Sequence, residues 1–397
     1  MIKLKIFPAS CGDCFLLEIK DGEKNINILV DGGFAKTYND YLGPYLKKLG
    51  KKGEKLDLVI NTHIDSDHIN GLISFVKDNN TNKFITIDDF WFNGLEQIVI
   101  NYPKLNVEQN DLDTQLIDTI NKKGYESEFQ QKEEISSKEG ISLSGLLEYG
   151  GYNHNKVNNH RAITDSLEKI KISENISIKV IAPHLDDLLM LEDKWFTELE
   201  SKNFHFTIPK NEKLVTSFEF LISRLKTYYD SFKSKISSSE DINLYLSNLE
   251  AEDNSVVNGS SIAFVLEIYD KKLLFLGDAI IKKSDKCKII QNLMKEYKNN
   301  LNFELIKLPH HGSNYNITKD FINLVNCKEY IISTNSSKHN HPDLDVLANL
   351  IIKEDEKFFV FNYDINQASL INNDLWKTKY KYNVITGNGT KIIERSY

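Results

Sequence analysis

One short stretch of the sequence, rich in side chains that bind metal ions, constrains the fold more than any other feature. An apolar segment at 56–60 has the length of a buried strand, and it leads directly into His63, Asp65, Asp67 and His68. Alternate residues of an extended chain share a face, so the first three can point the same way and a turn can add His68. Buried carboxylates without partners would each cost several kcal/mol. We therefore predict a metal site where this strand ends.

Later predicted strands end in more side chains of the same kind, namely Asp278, His310, His311, His339 and His341. Asp278 has two carboxylate oxygens and could bridge two ions, and Gly277 before it allows the backbone to approach closely. A lone histidine usually has a structural role, whereas this clustering favours a metal centre over a hydrogen-bonded polar cluster. His154, His160 and His205 lie apart from the cluster and are not predicted to bind metal, while the role of His184 stays open.

Short apolar segments separated by turn residues occur towards both ends of the chain. They predict strands at 2–7, 14–19, 26–30, 56–60, 84–92, 261–269, 272–276, 303–308 and 330–334, and helices at 38–49, 69–76, 286–297, 318–325 and 344–352. Between them the chain is polar, with helical apolar spacing at 112–120, 141–147 and 218–232 and one core strand at 176–182. We predict an α/β fold with strand-rich halves at 1–93 and 254–397. Residues 94–253 form a mainly helical insertion or cap, whose strand could belong to the strand-rich part.

The composition is that of a globular protein and excludes several classes. Of the 397 residues, 41% are hydrophobic and 27% charged, and no apolar run approaches the roughly 20 residues needed to cross a bilayer. Four cysteines are too few for a disulfide framework in so long a chain. The net charge of −8 argues against binding long nucleic acid through a basic surface, although metal ions could still attract a phosphate-bearing substrate. We expect a cytoplasmic protein with no membrane partner.

Taken together, these motifs resemble those of a known family. The chain resembles the metallo-β-lactamase-fold hydrolases through His63-x-Asp65-x-Asp67-His68, Gly277-Asp278 and Pro309-His310-His311-Gly312-Ser313. The closer likeness is to the hydrolase domain of the competence protein ComEC, of which this looks like a soluble, stand-alone relative. Supporting pieces are Gly12-Asp13-Cys14, Val30-Asp31-Gly32-Gly33, Asn258-Gly259-Ser260-Ser261 and His341-Pro342. The likeness covers the two strand-rich parts of the chain and leaves out the insertion.

The resemblance implies an αββα sandwich with two divalent metal ions in a cleft at its edge. In such enzymes the first metal ion takes His63 and the residue at position 65, the second takes Asp67 and His68, and Asp278 bridges them. Candidates to complete the ligand sets are His310, His311 and His341. The sequence departs from the common pattern in having Asp65 where a histidine is usual, and this harder ligand makes manganese a competitor of zinc.

The expected activity is hydrolysis by a hydroxide that bridges the two metal ions. Asp67 could orient that hydroxide, and His311, His341 or Lys338 could protonate the leaving group. A phosphodiester, in a nucleotide or a nucleic acid, is the leading substrate class, which makes the protein a phosphodiesterase or nuclease. The alternatives are a lactone or amide hydrolase of the same fold, and a non-catalytic binding module that metal ions stabilise.

Overall fold

The computed structural model describes residues 1–99, 111–124, 142–225, 241–283, 287–298 and 300–397. The strands in chain order are β1 (Ile2–Ile6), β2 (Phe15–Asp21), β3 (Lys24–Val30), β4 (Leu58–Ile60), β5 (Phe90–Trp91), β6 (Ile170–Lys171), β7 (Ile176–Ala182), β8 (Ala263–Ile268), β9 (Lys271–Phe275), β10 (Asn302–Lys307), β11 (Asn326–Ile332), β12 (Lys357–Phe361), β13 (Tyr382–Thr386) and β14 (Ile393–Ser396).

The α-helices are α1 (Ala35–Thr37), α2 (Gly43–Lys51), α3 (Ser66–Asn82), α4 (Leu95–Ile98), α5 (Asp111–Lys123), α6 (Leu143–Gly150), α7 (Leu185–Ser201), α8 (Glu212–Ile222), α9 (Val256–Gly259), α10 (Lys288–Tyr297), α11 (Lys319–Leu324), α12 (Leu344–Ile351), α13 (Asn366–Ile371) and α14 (Asp374–Tyr380). A π-helical turn, Tyr38–Leu42, joins α1 to α2, and short 3-10 turns lie at Lys156–Asn158, Ile242–Tyr245 and Pro309–Gly312. Within the described ranges, no helix is both long and apolar enough to cross a membrane.

Two sheets are built from these strands. The first has the order β14-β1-β2-β3-β4-β5, and the second has the order β13-β12-β11-β10-β9-β8-β7-β6. Strands β9 to β13 run parallel to one another, and β3, β4 and β5 do so in the first sheet. The last strand, β14, returns to pair with β1, so the first sheet contains both ends of the chain.

Successive side chains on each strand point to opposite faces of its sheet, and this alternation produces the layers of the fold. On β2 and β3, Leu17 and Ile28 face the second sheet and share a core with Phe264 of that sheet. Their neighbours Leu16 and Leu29 point the other way and pack against helices. The outer face of the second sheet is covered by helices in the same manner. This period of two is what a strand with both faces buried requires, and it confirms the predicted αββα sandwich.

The predicted insertion is mainly helical where the structure describes it. Helices α5, α6, α7 and α8 lie there, and the predicted core strand at 176–182 is found as β7, which joins the second sheet. Parts of three predicted helices, at 141, 226–232 and 286, lie outside the described residues. The division of the chain at 93 and 253 stays a prediction.

The strand predicted at 84–92 is wrong in extent, because only Phe90 and Trp91 form β5. The reason is the acidic residue just before them. Asp89 accepts hydrogen bonds from the amides of Phe90 and Lys156 and from the indole of Trp91, so its carboxylate competes with a regular strand ladder. The elements after α12 were not predicted from the sequence, because the helices and strands there are short and closely spaced.

Candidate metal centre

The predicted ligands lie where strands of both sheets end on the same edge of the sandwich. His63 follows β4 in the first sheet, and Asp65 is the N-cap of α3. Asp278 follows β9, and His310 and His311 lie in the turn after β10. Carboxyl ends of parallel strands are the usual place for ligand sites in such sheets. The fold therefore brings residues that are distant in sequence into one cleft.

The carboxylate of Asp278 lies at the centre of this cleft. Four imidazole rings turn their Nε2 atoms towards it. The distances to the nearer carboxylate oxygen are 3.5 Å for His68, 3.7 Å for His311, 3.9 Å for His63 and 3.9 Å for His310. His63, His68 and Asp278 are buried. Nitrogen and oxygen donors thus converge on one small volume.

A different partner contacts the outer nitrogen, Nδ1, of each ring. The contacts are His63 to Thr62 Oγ1 at 3.0 Å, His68 to Asp31 Oδ2 at 2.8 Å, His310 to Asn316 Oδ1 at 2.9 Å and His311 to Asp13 Oδ1 at 3.5 Å. Partners of this kind set the orientation of ligand histidines in metal sites. They leave each Nε2 atom facing the cleft.

Several buried atoms in the cleft lack a hydrogen bond. Nε2 of His63, His68 and His311 and Oδ1 of Asp278 make none to any residue that the structure describes. Each buried polar atom left in this state costs about 1–3 kcal/mol. Since all of them face one another, a cation in the cleft would satisfy them together. The donor set of imidazoles and carboxylates suits a divalent metal ion.

The donor atoms also have the spacing of metal sites. In the groups His63, His68, Asp278 and Asp67, His68, His311, the donor atoms lie within 4.8 Å of one another. Two further groups of this kind include Asp13. Gly12 allows the close approach of this part of the chain, because a Cβ there would lie 1.9 Å from the Asp67 carbonyl oxygen.

The charged groups in the cleft shift one another's pKa values. Burial alone would raise the pKa of the Asp278 carboxyl, but the adjacent His68 and His311 hold it well below its usual value. Burial lowers the pKa of His68, yet Asp278 and Asp31 outweigh it and raise that pKa well above the usual value. The carboxylates and imidazoles of the cleft thus stabilise one another's charged forms.

The histidine pair after β10 has an unusual backbone. His310 and His311 have φ values of 43° and 56°, in the left-handed region, and Gly312 follows with 88°. Such conformations cost of order 1–3 kcal/mol for residues other than glycine. This turn directs both rings into the cleft, whereas two successive residues of a strand would point to opposite faces.

The remaining predicted residues, Asp65, Asp67 and His341, lie beside these rings. Asp65 Oδ2 is 3.5 Å from His63 Nε2, and Asp67 Oδ2 is 3.8 Å from His311 Nε2. The ring of His341 lies 5.3 Å from that of His310, and its Nδ1 is 3.2 Å from an oxygen of Asp343. The structure therefore brings all the predicted ligands together, with His341 at the edge of the cluster.

The four histidines of the predicted insertion have partners away from the cleft. His154 contacts the Phe92 carbonyl oxygen, His160 contacts the His154 carbonyl oxygen and His205 contacts Asp113. His184 caps helix α7, where its ring accepts a hydrogen bond from the backbone amide of Asp186.

The sequence analysis assigned no role to the residues behind the rings. In the sequence, Asp13 and Asp31 stand out only as parts of family motifs, and no local pattern marks Asn316. Lys307 did carry a signal, since it is a charged residue within the apolar run of a core strand. A lysine is seldom fully buried without a partner for its charge.

One comparison with known proteins, at the level of sequence, agrees with the fold. The sequence model of the metallo-beta-lactamase superfamily matches residues 12–102. No curated protein matches the chain. Among solved structures, the metallo-beta-lactamase fold protein YhfI from Bacillus subtilis is similar, with 8% identity, full coverage of both chains and a TM-score of 0.36.

A metallo-beta-lactamase from Staphylococcus aureus subsp. aureus COL is also similar, with 9% identity, 96% of this chain and 99% of that chain covered, and a TM-score of 0.29. Structural likeness at this level adds nothing to the assignment, which depends on the sequence match and the layered fold. Residues 12–102 therefore match the metallo-beta-lactamase superfamily, a fold family that binds divalent metal ions and is usually hydrolytic, and the described part of the chain holds clusters of histidine and aspartate with the spacing of metal ligands.

Proposed function

We propose that this protein is a metal-dependent phosphodiesterase or nuclease that uses two divalent metal ions. One observation carries the proposal: four imidazole Nε2 atoms lie within 3.9 Å of the Asp278 carboxylate. A structural cluster of histidines would bond its nitrogens to neighbouring groups. In this cleft the nitrogens of His63, His68 and His311 that face Asp278 make no hydrogen bond to described residues.

His68 belongs to one group of closely spaced donors with His63 and to another with Asp67 and His311. Its single inward nitrogen can bind only one ion, so we divide the ligands into two sets. We assign His63 and Asp65, with His310, to the first metal ion. We assign His68, Asp67 and His311 to the second, since His311 Nε2 lies 3.8 Å from Asp67. Asp278 stands between both sets and would serve as a ligand to both ions. His341, at the rim, completes the first set or contacts the substrate.

Held in this way, the metal ions would supply hydroxide at neutral pH and neutralise the charge that develops on the attacked phosphorus. Burial raises the pKa of the Asp67 carboxyl, but the adjacent His68 and the nearby Lys338 lower it below its usual value. Asp67 is therefore ionised and can accept a proton from the nucleophile. His341 or Lys338, both on the loop after β11, would donate the proton that the leaving oxygen needs.

The choice of a phosphodiester depends on two points. Paired divalent ions attract the anionic oxygens of a phosphodiester, which a net charge of −8 would otherwise repel. The ComEC-like motifs, including Asp65 in place of a histidine, favour the same substrate class. Asp65 is a hard oxygen donor, so manganese competes with zinc for the first site.

The test begins with metal-free protein, reconstituted separately with zinc and with manganese and analysed for bound metal. We expect about two ions per chain and hydrolysis of bis-p-nitrophenyl phosphate that stops when a chelator is added. Metal-loaded protein that cleaves a lactone or a β-lactam but no phosphodiester would overturn the substrate assignment. Binding of less than about one ion would overturn the metal centre itself.

A further inference from the structure

Directly behind the cleft, a lysine is buried among acidic groups. Lys307 is the last residue of β10 and is 1% exposed. Its ammonium group contacts Asp13 Oδ2, donates a hydrogen bond to the Gly277 carbonyl oxygen at 2.9 Å and lies 3.6 Å from Asp278 Oδ1. The lysine therefore contacts both the backbone just before Asp278 and the buried carboxylate of Asp13.

Asp13, the partner of this lysine, reaches two of the proposed ligands. Its Oδ1 atom lies 3.5 Å from Nδ1 of His311, and its backbone amide donates to the carbonyl oxygen of Asp67 at 3.3 Å. Asp13 is 1% exposed. Lys307 and Asp13 thus form a continuous contact path from Asp278 to the outer side of the His311 ring.

Stability alone does not explain this arrangement. Taking a lysine and an aspartate out of water costs several kcal/mol for each ion, and replacing such a pair with apolar side chains is often neutral or stabilising. The pair does have a geometric consequence, because both of its members contact proposed metal ligands from behind. Contacts behind ligands commonly change metal affinity by 10–100-fold.

We propose that Lys307 and Asp13 are a positioning pair that holds Asp278 and His311 with their donor atoms towards the metal cleft. Lys307 acts on Asp278 through the Gly277 carbonyl oxygen and the nearby carboxylate, and Asp13 acts on the His311 ring. Neither residue contacts substrate. The inference depends on the metal centre of the proposed function and does not depend on which substrate is cleaved.

The test measures metal binding without substrate. Metal-free wild type, Lys307→Met and the double variant Asp13→Asn/Lys307→Met are titrated with Zn²⁺ by calorimetry, and their Co²⁺ forms are compared by visible absorption. Lys307→Met leaves Asp13 buried and unpaired and could fail to fold. The double variant removes both charges, so it is expected to fold.

Lys357→Met is the matched control. Lys357 is also 1% exposed, but it donates to the backbone carbonyl oxygens of Lys353 and Ile351 and not to a carboxylate. We expect the double variant to bind at least one ion about 10–100-fold more weakly than wild type, with an altered Co²⁺ spectrum. The control is expected to bind like wild type.

A purely structural pair predicts another result. If the double variant folds, binds both ions within about threefold of wild type and keeps the wild-type Co²⁺ spectrum, the positioning role is overturned while the metal centre stands. Wild type that binds no metal would overturn both proposals. Wild type that binds metal but cleaves no phosphodiester would count against the proposed function alone.

Discussion

The two ends of the second sheet each bury a lysine, and the surroundings of the two differ. At the carboxyl end, Lys307 contacts Asp13 and lies near Asp278. Burial lowers the pKa of Lys307, but those carboxylates outweigh it and raise that pKa. At the opposite end, Lys357 begins β12 and has carbonyl oxygens as partners, and burial lowers its pKa to about 8.

The comparison shows where this fold places its charges. At the carboxyl ends of the strands, the loops of both sheets converge and bring carboxylates, imidazoles and one ammonium group into contact. At the amino ends, Lys357 has backbone carbonyl oxygens as its hydrogen-bond partners, and the nearby Asp355 offsets only part of the effect of burial. The first environment stabilises a charge, whereas the second opposes it. Substitutions at the two ends should therefore have opposite consequences.

The largest effect is expected at the carboxyl end, from Asp278→Ala. This change removes the carboxylate that all four rings face, so both metal ions lose a shared ligand and phosphodiester turnover should fall to background. The fold should persist, because Asp278 lies after the end of β9 and outside the apolar core. Turnover, bound metal and circular dichroism would be measured together.

A suitable control for that experiment is Asp374→Ala, which removes an exposed carboxylate paired with Lys377. It should leave turnover and metal content unchanged. Phosphodiester hydrolysis that survives Asp278→Ala would exclude the two-metal mechanism.

The second effect separates the two lysines by stability. Lys307→Met leaves Asp13 buried without its cation, and breaking a buried pair in this way costs about 3–5 kcal/mol. Lys357→Met removes a buried charge that has no carboxylate partner, so it should be neutral or stabilising at pH 7. Urea unfolding of both metal-free variants gives the comparison. Equal losses of stability would show that the two environments do not differ as described.

A smaller effect is expected at the rim of the cleft, from His341→Ala. Its ring contacts the ring of His310 and lies close to Asp343, so its loss should lower turnover by roughly 10–100-fold. Metal content decides which role it has. Retention of both ions would indicate a supporting or proton-donating residue, whereas loss of one ion would make His341 a ligand.

The smallest effect concerns pH and sharpens the description of Lys357. Its pKa is about 8 in the folded protein and about 10.4 in an unfolded chain, so between these values the unfolded state binds more protons. Stability therefore rises with pH across this window, and the contribution is absent in Lys357→Met. Urea unfolding between pH 7.5 and 10.5, in steps of about half a unit, measures the difference between the two proteins. Identical pH profiles would contradict the lowered pKa.

Much of the site was predictable because its signals are local. His63, Asp65, Asp67 and His68 follow a strand within a few residues, and the pattern of apolar residues places that strand without knowledge of the rest of the chain. The same holds for Asp278 after β9. The strand at 176–182 was predicted for the same reason, since its apolar run is bounded by polar residues.

Other features were not predictable, because their causes are distant in sequence. The short extent of β5 depends in part on the hydrogen bond that the distant amide of Lys156 donates to Asp89. The pairing of β14 with β1 joins the two ends of the chain, and nothing in the residues of either strand specifies that partner. The alternation of apolar residues predicts which face of a strand is buried, but it does not predict which strand lies beside it.

The sequence by itself determined which chemical groups reach the cleft, because side-chain type and position after a strand are local properties. Only the tertiary structure decided which atom of each group faces inward. Thr62, Asp31, Asn316 and Asp13 contact the outer nitrogens of the rings, and Lys307 reaches Asp13 from the other end of the chain. The contacts that Asp13 makes with His311 and Lys307 join segments of the two sheets, so they exist only after the sheets have packed.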